Sequence, residues 1–486
     1  MSGYRQGDSG LILNEPLLWE KGKKGRCGFS LPECDVDEVS FEGDLAGDGP
    51  DFPDLSEVEV VRHYTRLSTW NFGVDTGMYP LGSCTMKYNP KVNERQASLT
   101  GFADAHPLLP EVRTQGALKL MYDLEHFLKE LTGMDAVTLQ PAAGAHGELT
   151  GILMIYAYHK KKGQIRTKML VPDTAHGTNP ASGALCGYTP VAVPVNGEGI
   201  MRVEDVRELM DEDTAGIMVT NPNTLGLFEE NIREICEIVH DKGGLVYGDG
   251  ANLNAIMGYV KMGEIGVDVM HFNLHKTFST PHGGGGPGSG PVAVNKTLEP
   301  FLPVPRVEKI QDTYRLVTDY PDSIGRMMTF YGHFGVMVRA YSYILSMGAE
   351  GLKEASAHAV LNANYIKERL KDTFHLAFDK TCMHECVFSD ARQEEDGVTT
   401  LDIAKRLIDY GFHPPTIYFP LVVHGALMIE PTETETKEDI DNFIDTLKAI
   451  AKEAKESPEL LKNAPTRSKV RRLDETAAAR KPCLCG

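Results

Sequence analysis

Short apolar runs alternate with stretches of helical periodicity through the middle of the chain. Apolar residues at helical spacing predict a helix over 115–132, and further helices are expected over 203–211 and 229–242. The runs that predict buried strands lie at 168–172, 215–220, 244–249 and 267–272. This alternation predicts a mainly parallel sheet with helices on both faces, which binds ligands at the carboxyl ends of its strands.

The two ends of the chain have different patterns from the middle. Residues 1–110 are rich in turn signals, such as Asp44–Asp51 and Asn71–Gly77, and predict an extended arm that wraps another surface. Residues 111–332 hold the alternating pattern of the predicted large domain, and residues 333–486 predict a smaller α+β domain and tail. The helices expected there lie at 333–348, 351–371 and 436–454, and the strands at 421–424 and 426–429.

Composition excludes several classes of function. The 486 residues carry a formal net charge of −19, which disfavours nucleic-acid binding because phosphates require Lys and Arg. No apolar run is long enough for a membrane span, and Met1–Asn14 lacks the apolar core of a signal peptide. Nine cysteines without a Cys-x-x-Cys pair suit a reducing compartment. We therefore expect a cytoplasmic protein with neither nucleic acid nor membrane as a partner.

Two groups of cysteines raise the question of a metal site. Cys382 and Cys386 flank His384, but no second cluster of ligands lies nearby in the sequence, so we expect no metal there. Cys483 and Cys485 are interpreted as part of a mobile chain end without an assigned thiol or metal role.

A lysine and an aspartate follow two of the predicted strands. Lys276 comes just after the strand at 267–272, and Asp249 ends the strand at 244–249, 27 residues earlier. Alone, Lys276 is more typical of a surface lysine beside a glycine loop, and the alternative for Asp249 is a turn or helix cap. Together they indicate pyridoxal 5′-phosphate (PLP), which needs a lysine for its Schiff base and an acid beside its pyridine nitrogen.

PLP also needs N–H groups for its phosphate and a flat partner for its ring. The segment Gln140–Gly147 is rich in small residues and contains the predicted start of a helix near Ala145, where backbone N–H groups would face an anion. The phosphate-binding residues expected there are Ala143, Gly144 and Ala145. His176, after the strand at 168–172, is the expected stacking partner of the ring.

Four further residues are candidates for contacts with the cofactor. Thr220 and Asn221 are candidates for its phenolic oxygen, and His275 for its phosphate, with a turn or cap role as the open alternative for each. Ala251, next to Asp249 in the chain, is also counted among the cofactor-binding residues.

Six segments resemble the P protein of the glycine cleavage system, glycine dehydrogenase (decarboxylating). They are Tyr79–Pro90, Gly144–Glu148, Ala175–Pro180, Thr220–Thr224, Asp249–Asn252 and Asn273–Phe278. The resemblance extends from about Leu18 to Pro482, and a chain of this length with the lysine resembles the second, or beta, subunit. It implies a fold-type I PLP-dependent transferase of the aspartate-aminotransferase-like α/β class. It also implies an α2β2 heterotetramer with a related subunit 1 (alpha) that lacks the lysine.

The same resemblance implies a substrate and a reaction. Glycine would displace Lys276 from PLP and lose CO2, and its aminomethyl group would pass to the lipoyl arm of the H protein. Asp249 would keep the pyridine nitrogen protonated and His176 would restrain the ring, so these two residues and Lys276 are the implied catalytic residues. Candidates for the wall of the channel to the surface, with loop packing as the open alternative, are Tyr79, Cys84 and His106.

Two other hypotheses compete with this one. Other fold-type I enzymes, such as aminotransferases and cysteine desulfurases, share the pair of an aspartate and a lysine. The chain is alternatively a subunit without chemistry, or a nucleotide binder that uses the loop Gly283–Gly286. That loop lacks the Gly-Lys-Ser/Thr ending of a nucleotide-binding phosphate loop, which argues against the last hypothesis.

Overall fold

The computed structural model describes residues 15–37, 50–283 and 288–483, and the statements below concern these residues. Its α-helices are α1 (Leu18–Lys21), α2 (Glu57–Ser68), α3 (Lys91–Ala97), α4 (Thr100–Ala103), α5 (Gln115–Thr132), α6 (Gly144–Lys161), α7 (Thr178–Leu185), α8 (Val203–Leu209), α9 (Ile232–Asp241), α10 (Met262–Ile265), α11 (Leu274–Thr277), α12 (Phe334–Leu370), α13 (Ala391–Glu394), α14 (Thr400–Tyr410), α15 (Lys437–Glu456), α16 (Glu459–Lys462) and α17 (Glu475–Arg480). Its strands are β1 (Ala136–Thr138), β2 (Lys168–Pro172), β3 (Thr189–Val193), β4 (Thr214–Thr220), β5 (Leu245–Gly250), β6 (Val269–Phe272), β7 (Val292–Val294), β8 (Arg306–Ile310), β9 (Thr313–Val317), β10 (His375–Leu376), β11 (Cys386–Ser389), β12 (Thr416–Ile417) and β13 (Ala426–Ile429).

A seven-stranded sheet forms the centre of the molecule, in the order β1-β7-β6-β5-β4-β2-β3. Five neighbouring strands pair in parallel, in the order β6-β5-β4-β2-β3. Strand β7 runs antiparallel to both β6 and β1. The predicted α/β class with a mainly parallel sheet is therefore confirmed. The antiparallel pairing of β7 is an addition that the hydrophobic pattern did not predict.

The strands of this sheet are apolar on both faces because helices cover both faces. In β2, Leu170 packs in the core that holds residues of α5, α9 and α12, whereas Met169 and Val171 pack in the core beneath α6. All seven residues of β4 are buried. Burial on both sides explains why these strands appear in the sequence as continuous apolar runs.

The longest predicted helices lie close to their predicted bounds. The helix predicted over 115–132 is confirmed as α5, which ends at Gly133 in the left-handed conformation that favours glycine (φ 70°). The helices predicted over 333–348 and 351–371 form the single element α12, interrupted by non-helical backbone at Gly348.

A smaller antiparallel sheet, in the order β10-β11-β13-β12, lies in the last third of the chain. Its apolar face packs with α14, α15 and the end of α12. The strand predicted at 426–429 is confirmed as β13. The strand predicted at 421–424 is wrong, because this segment forms turns in which the N–H of Val423 donates to the carbonyl of Pro420. Leu421 is 85% exposed there, so its apolar character does not report burial.

The first 110 residues contain more helix than their turn signals predicted. Helix α2 begins with a capping box. The side chain of Ser56 accepts from the N–H of Glu59, and the side chain of Glu59 accepts from the N–H of Ser56. The turn at Asn71–Gly77 is confirmed, while most of Asp44–Asp51 lies outside the described residues. Further along, Leu81 forms a bridge with Ile429 of the small sheet. The domain boundaries near 110 and 333 stay predictions.

Among the described helices, none combines the length and the apolar character that a membrane crossing requires.

We predict that Leu124→Ala lowers stability by about 2–5 kcal/mol, the usual result of emptying a closed core site. Leu124 is fully buried in α5 within the larger core. The measurement is the urea concentration at the midpoint of unfolding, followed by circular dichroism. Leu361→Ala is the matched control, because Leu361 is 61% exposed on α12 and its truncation should change the midpoint little. Equal shifts in the two variants would contradict this account of the core.

Candidate active site

The carboxyl ends of three parallel strands bring polar side chains together at one edge of the sheet. Asp249 lies near the end of β5, and the register places it opposite Thr220 of β4 and His271 of β6. The sheet is apolar up to this edge, so these polar groups mark the position where ligands bind in such folds.

Asp249 is buried but fully surrounded by partners. Its Oδ1 accepts from the N–H of Ala251 at 3.0 Å, and its Oδ2 accepts from Asn179 at 3.2 Å and from the hydroxyl of Thr220 at 3.5 Å. Burial by itself raises the pKa of Asp249, but His271, the Ala251 N–H and Lys276 together lower it below its ordinary value. Asp249 is therefore an anionic group at neutral pH.

His271 is a site residue that the sequence analysis did not identify. Its Nε2 lies 3.6 Å from Oδ1 of Asp249, and its Nδ1 is hydrogen-bonded to the hydroxyl of Tyr247. The rings of Tyr247 and His271 are stacked, so the tyrosine fixes the orientation of the imidazole. The position of His271 in the strand just before Lys276 was the available signal, but only the pairing of β5 with β6 shows its neighbour.

Lys276 lies on the short helix α11, which follows β6. Its Nζ donates to the backbone carbonyl of Ser83 at 2.8 Å, and its ammonium lies within electrostatic reach of Asp249, His271 and Glu385. The chain segment that precedes the large domain therefore covers the lysine. The position of this amino group is therefore fixed before a ligand arrives.

The N-terminus of α6 points into the same region. This helix has 18 residues, and no side chain caps its first turn at Ala143, Gly144 and Ala145. A Cβ at Gly144 would lie 2.6 Å from Nδ2 of Asn273, so only glycine allows the helix to start this close to the lysine segment. Uncapped N–H groups and the positive end of the helix dipole favour an anion such as a phosphate.

His176 is connected to a buried glutamate through a hydroxyl group. Nδ1 of His176 lies 3.0 Å from Oγ1 of Thr178, which donates to Oε1 of Glu148 at 2.9 Å. The exposed imidazole also packs edge-to-face against Phe419. Burial, together with the charge of Asp249, raises the pKa of Glu148 from 4.5 to about 8. Glu148 is thus mostly protonated at pH 7, and the sequence analysis had assigned it no role.

The four remaining candidates for cofactor contacts lie at the same edge, and each already has a hydrogen-bond partner within the protein. Thr220 and Ala251 both contact Asp249 directly. The side chain of Asn221 pairs with the backbone of Glu229, where its Oδ1 accepts from the N–H at 3.0 Å. His275 accepts from the N–H of Ser289 at 3.1 Å, and burial together with His282 lowers its pKa to about 3.

The three candidates for the channel wall lie in different places. Cys84 follows Ser83 and is therefore next to Lys276. Tyr79 stacks on His413, with 3.9 Å between the ring centroids. His106 is exposed and packs edge-to-face with Phe330. Only Cys84 is thus brought beside the lysine. The glycine loop discussed above, apart from Gly283, lies outside the described residues.

The donor set at this edge fits PLP. A buried carboxylate with a low pKa, a positioned lysine, an uncapped helix N-terminus and an exposed imidazole are the four kinds of group that this cofactor requires. The crowding around Gly144 supports the same fit, because a close approach of backbone to a phosphate requires a residue without a side chain.

Comparisons with known proteins agree with this geometry. The family model of the glycine cleavage system P-protein matches residues 43–313, and that of the glycine dehydrogenase C-terminal domain matches residues 355–468. The chain is 58% identical over 475 residues to a protein of Listeria innocua, covering 96% of this chain and 97% of the relative. It is 60% identical over 474 residues to a protein of Caldanaerobacter subterraneus, covering 96% and 98%. Both are named probable glycine dehydrogenase (decarboxylating) subunit 2.

Solved structures with the same fold include a glycine decarboxylase (P-protein) of the glycine cleavage system in inhibitor-bound form. It aligns with a TM-score of 0.70 at 20% identity, covering 86% of this chain and 92% of that one. A cysteine desulfurase from Escherichia coli aligns with a TM-score of 0.61 at 15% identity, covering 78% and 95%. At these identities the likeness shows the fold, which is that of fold-type I PLP-dependent enzymes.

We predict that Glu148 makes the stability of the cofactor-free chain fall as pH rises from about 5 to 8. Its folded pKa is about 8 and its ordinary value is 4.5, so within this window the unfolded chain releases a proton that the folded chain keeps. Glu148→Gln keeps an oxygen for Thr178 but does not titrate. The variant should therefore gain on the order of 1–3 kcal/mol relative to the wild type across the window.

The measurement is urea unfolding at a series of pH values. Glu354→Gln, on the exposed side of α12, is the control and should follow the wild type at every pH. A Glu148→Gln variant whose stability has the same pH dependence as the wild type would contradict the protonated state of Glu148.

Proposed function

Because the chain belongs to the glycine cleavage system P-protein family, we propose that it decarboxylates glycine with the help of PLP. The aminomethyl group then passes to the lipoyl arm of a glycine cleavage H protein, and CO2 is released. The observation that carries the proposal is that buried, anionic Asp249 and Lys276 lie within electrostatic reach of each other at one edge of the sheet. The high identity to relatives named for this activity selects the reaction among those of the fold.

PLP would be held by residues from α11, from the start of α6 and from the segment before α7. Lys276 would bind it covalently, and the N–H groups of Ala143, Gly144 and Ala145 at the start of α6 would bind its phosphate. His176 would lie against the ring. Bound PLP supplies an electron-accepting ring that takes up the electron pair of the bond broken in decarboxylation.

The protein's own groups control protons and position around that ring. Asp249 stays ionised, and it would therefore favour a proton on the ring nitrogen of bound PLP. His271 and Asn179 fix the carboxylate from the protein side. When Lys276 is not bonded to PLP, the carbonyl of Ser83 accepts a hydrogen bond from its amino group. This contact would keep the amino group close to the cofactor, so that it can bind PLP again. Thr220, Asn221, Ala251 and His275 would complete the cofactor contacts.

The chain would work in an assembly with a second subunit. The relatives are named subunit 2, which supports a partner subunit 1 in an α2β2 heterotetramer. Large apolar side chains are exposed on the N-terminal segment, where a partner would cover them. They include Leu17, Trp19, Phe29, Leu31 and Phe52. We place the assembly in the cytoplasm, because seven cysteines from Cys27 to Cys386 form no disulfide.

We predict that Lys276→Ala removes the visible absorbance of lysine-bound PLP from the purified chain. In the complete system, exchange of labelled CO2 into glycine should fall by at least about a thousandfold, since the covalent anchor is lost. Lys160→Ala, at an exposed position of α6, is the control and should keep both the absorbance and the exchange. An unchanged spectrum in Lys276→Ala would show that another group holds the cofactor. A wild-type chain that shows the absorbance of lysine-bound PLP but no exchange of CO2 into glycine would refute the reaction but not the cofactor.

We predict that Asp249→Asn keeps part of its PLP but exchanges CO2 about 10²–10⁴-fold more slowly, because a neutral amide does not hold the ring proton. Binding is measured by cofactor content and turnover by the same exchange assay. Asp173→Asn is the control, since Asp173 is exposed just after β2. Full activity in Asp249→Asn would exclude the pyridinium role of Asp249.

A further inference from the structure

One histidine and two glutamates form a buried group in the small domain, close to the lysine segment. His384 and Glu385 precede β11, and Glu430 follows β13, so the antiparallel pairing of Cys386 with Ile429 brings them side by side. His384 and Glu385 are fully buried and Glu430 is 1% exposed. One ligand atom of each residue lies within 4.8 Å of the other two. Such a concentration of ionisable groups away from water requires a physical explanation.

Several polar atoms of this group have no hydrogen-bond partner among the described residues. These are both ring nitrogens of His384 and Oε1 of Glu385. Nε2 of His384 lies 3.9 Å from Oε1 of Glu385 and 3.9 Å from Oε1 of Glu430. This separation is too long for a hydrogen bond but suits ligand atoms that surround one shared ion. Buried polar atoms without partners are rare, and a ligand bound among these three residues would supply the missing contacts.

The other oxygens of the two carboxylates are held by the backbone. The N–H of Ser83 donates to Oε2 of Glu385 at 2.8 Å, and the N–H of Thr85 donates to Oε2 of Glu430 at 3.0 Å. The hydroxyl of Thr85 also donates to Oε1 of Glu430, which keeps a second lone pair. Outer hydrogen bonds of this kind orient the ligands of metal ions, and here they leave Oε1 of Glu385 free and one lone pair on Oε1 of Glu430.

The charge of the group also favours a cation. The cation that acts on both Glu385 and His384 is Lys276, which is committed to the carbonyl of Ser83. A divalent ion would balance the charge of the two carboxylates when both are ionised.

We propose that His384, Glu385 and Glu430 bind one divalent transition-metal ion, with Zn²⁺ as the best match to one imidazole and two carboxylates. Cys382 and Cys386, which flank His384 in the sequence, pack in the apolar core of the small domain and are not ligands. The ion ties the small domain to the segment Ser83–Thr85. Ser83 and Thr85 both adopt positive φ angles, 65° and 48°, and the two glutamates hold this strained backbone over Lys276.

The first experiment measures metal content in the full-length chain. The protein is loaded with Zn²⁺ or with Mn²⁺, passed over a chelating resin, and analysed by inductively coupled plasma mass spectrometry. We expect about one ion per chain in the wild type and close to none in His384→Gln. His159→Gln is the matched control and should keep the ion, because both ring nitrogens of buried His159 already have partners in Gln164 and Ala215. Mn²⁺ distinguishes this site from thiols, which prefer zinc.

The second experiment uses Glu385→Gln, which keeps the shape of the side chain and an oxygen for the N–H of Ser83. By isothermal titration its affinity for Zn²⁺ should be about 10–100-fold lower than that of the wild type. Zn²⁺ should raise the thermal unfolding temperature of the wild type and not that of the variant. The proposal would be overturned if the wild-type chain keeps no ion after the resin and gains no thermal stability from Zn²⁺. A buried water would then occupy the position proposed for the ion. Equal binding by all variants would also overturn it. Neither outcome depends on glycine decarboxylation.

Discussion

Asp249 carries a negative charge at a position that is almost closed to water, and the rest of the site is arranged around that charge. A buried carboxylate is costly unless hydrogen bonds and opposite charges meet it. Here the Ala251 N–H, Asn179, His271 and Lys276 all do so, and they come from the turn after β5, from α7, from β6 and from α11. The register of β4, β5 and β6 therefore cannot slip by one residue without leaving the charge unpaired.

The lysine depends on a second constraint, which comes from outside the large sheet. Lys87 is a buried cation that pairs with Glu433 of the small domain and donates to the carbonyl of Thr277, the residue after Lys276. The backbone carbonyl of Ser83 accepts a hydrogen bond from the amino group of Lys276 itself. One short segment before the large domain thus joins the lysine helix to the small domain, and the position of Lys276 depends on parts of the chain almost 200 residues apart.

The order of the chain explains which residues could be found from the sequence. Lys276, Asp249 and His176 each follow an apolar run, so the position of a strand end was enough to select them. Glu148 and His271 gave no such signal, because one lies within the first turns of a helix and the other inside a strand. A glutamate on a helix is most often solvated, and only the packing of α6 against β5 and β6 makes Glu148 a buried, protonated group.

The sequence by itself determined the α/β class, the helix over 115–132, the residues at the strand ends and, through its motifs, the family. These features are local, since they depend on periodicity and on the chemistry of short segments. Only the tertiary structure decided which side chains share a neighbour: His271 with Asp249, Ser83 with Lys276, and His384 with Glu385 and Glu430. Strand pairing and domain packing create those contacts between residues far apart in the chain, and burial then sets their protonation. Distance and burial are properties of the fold that no short segment contains.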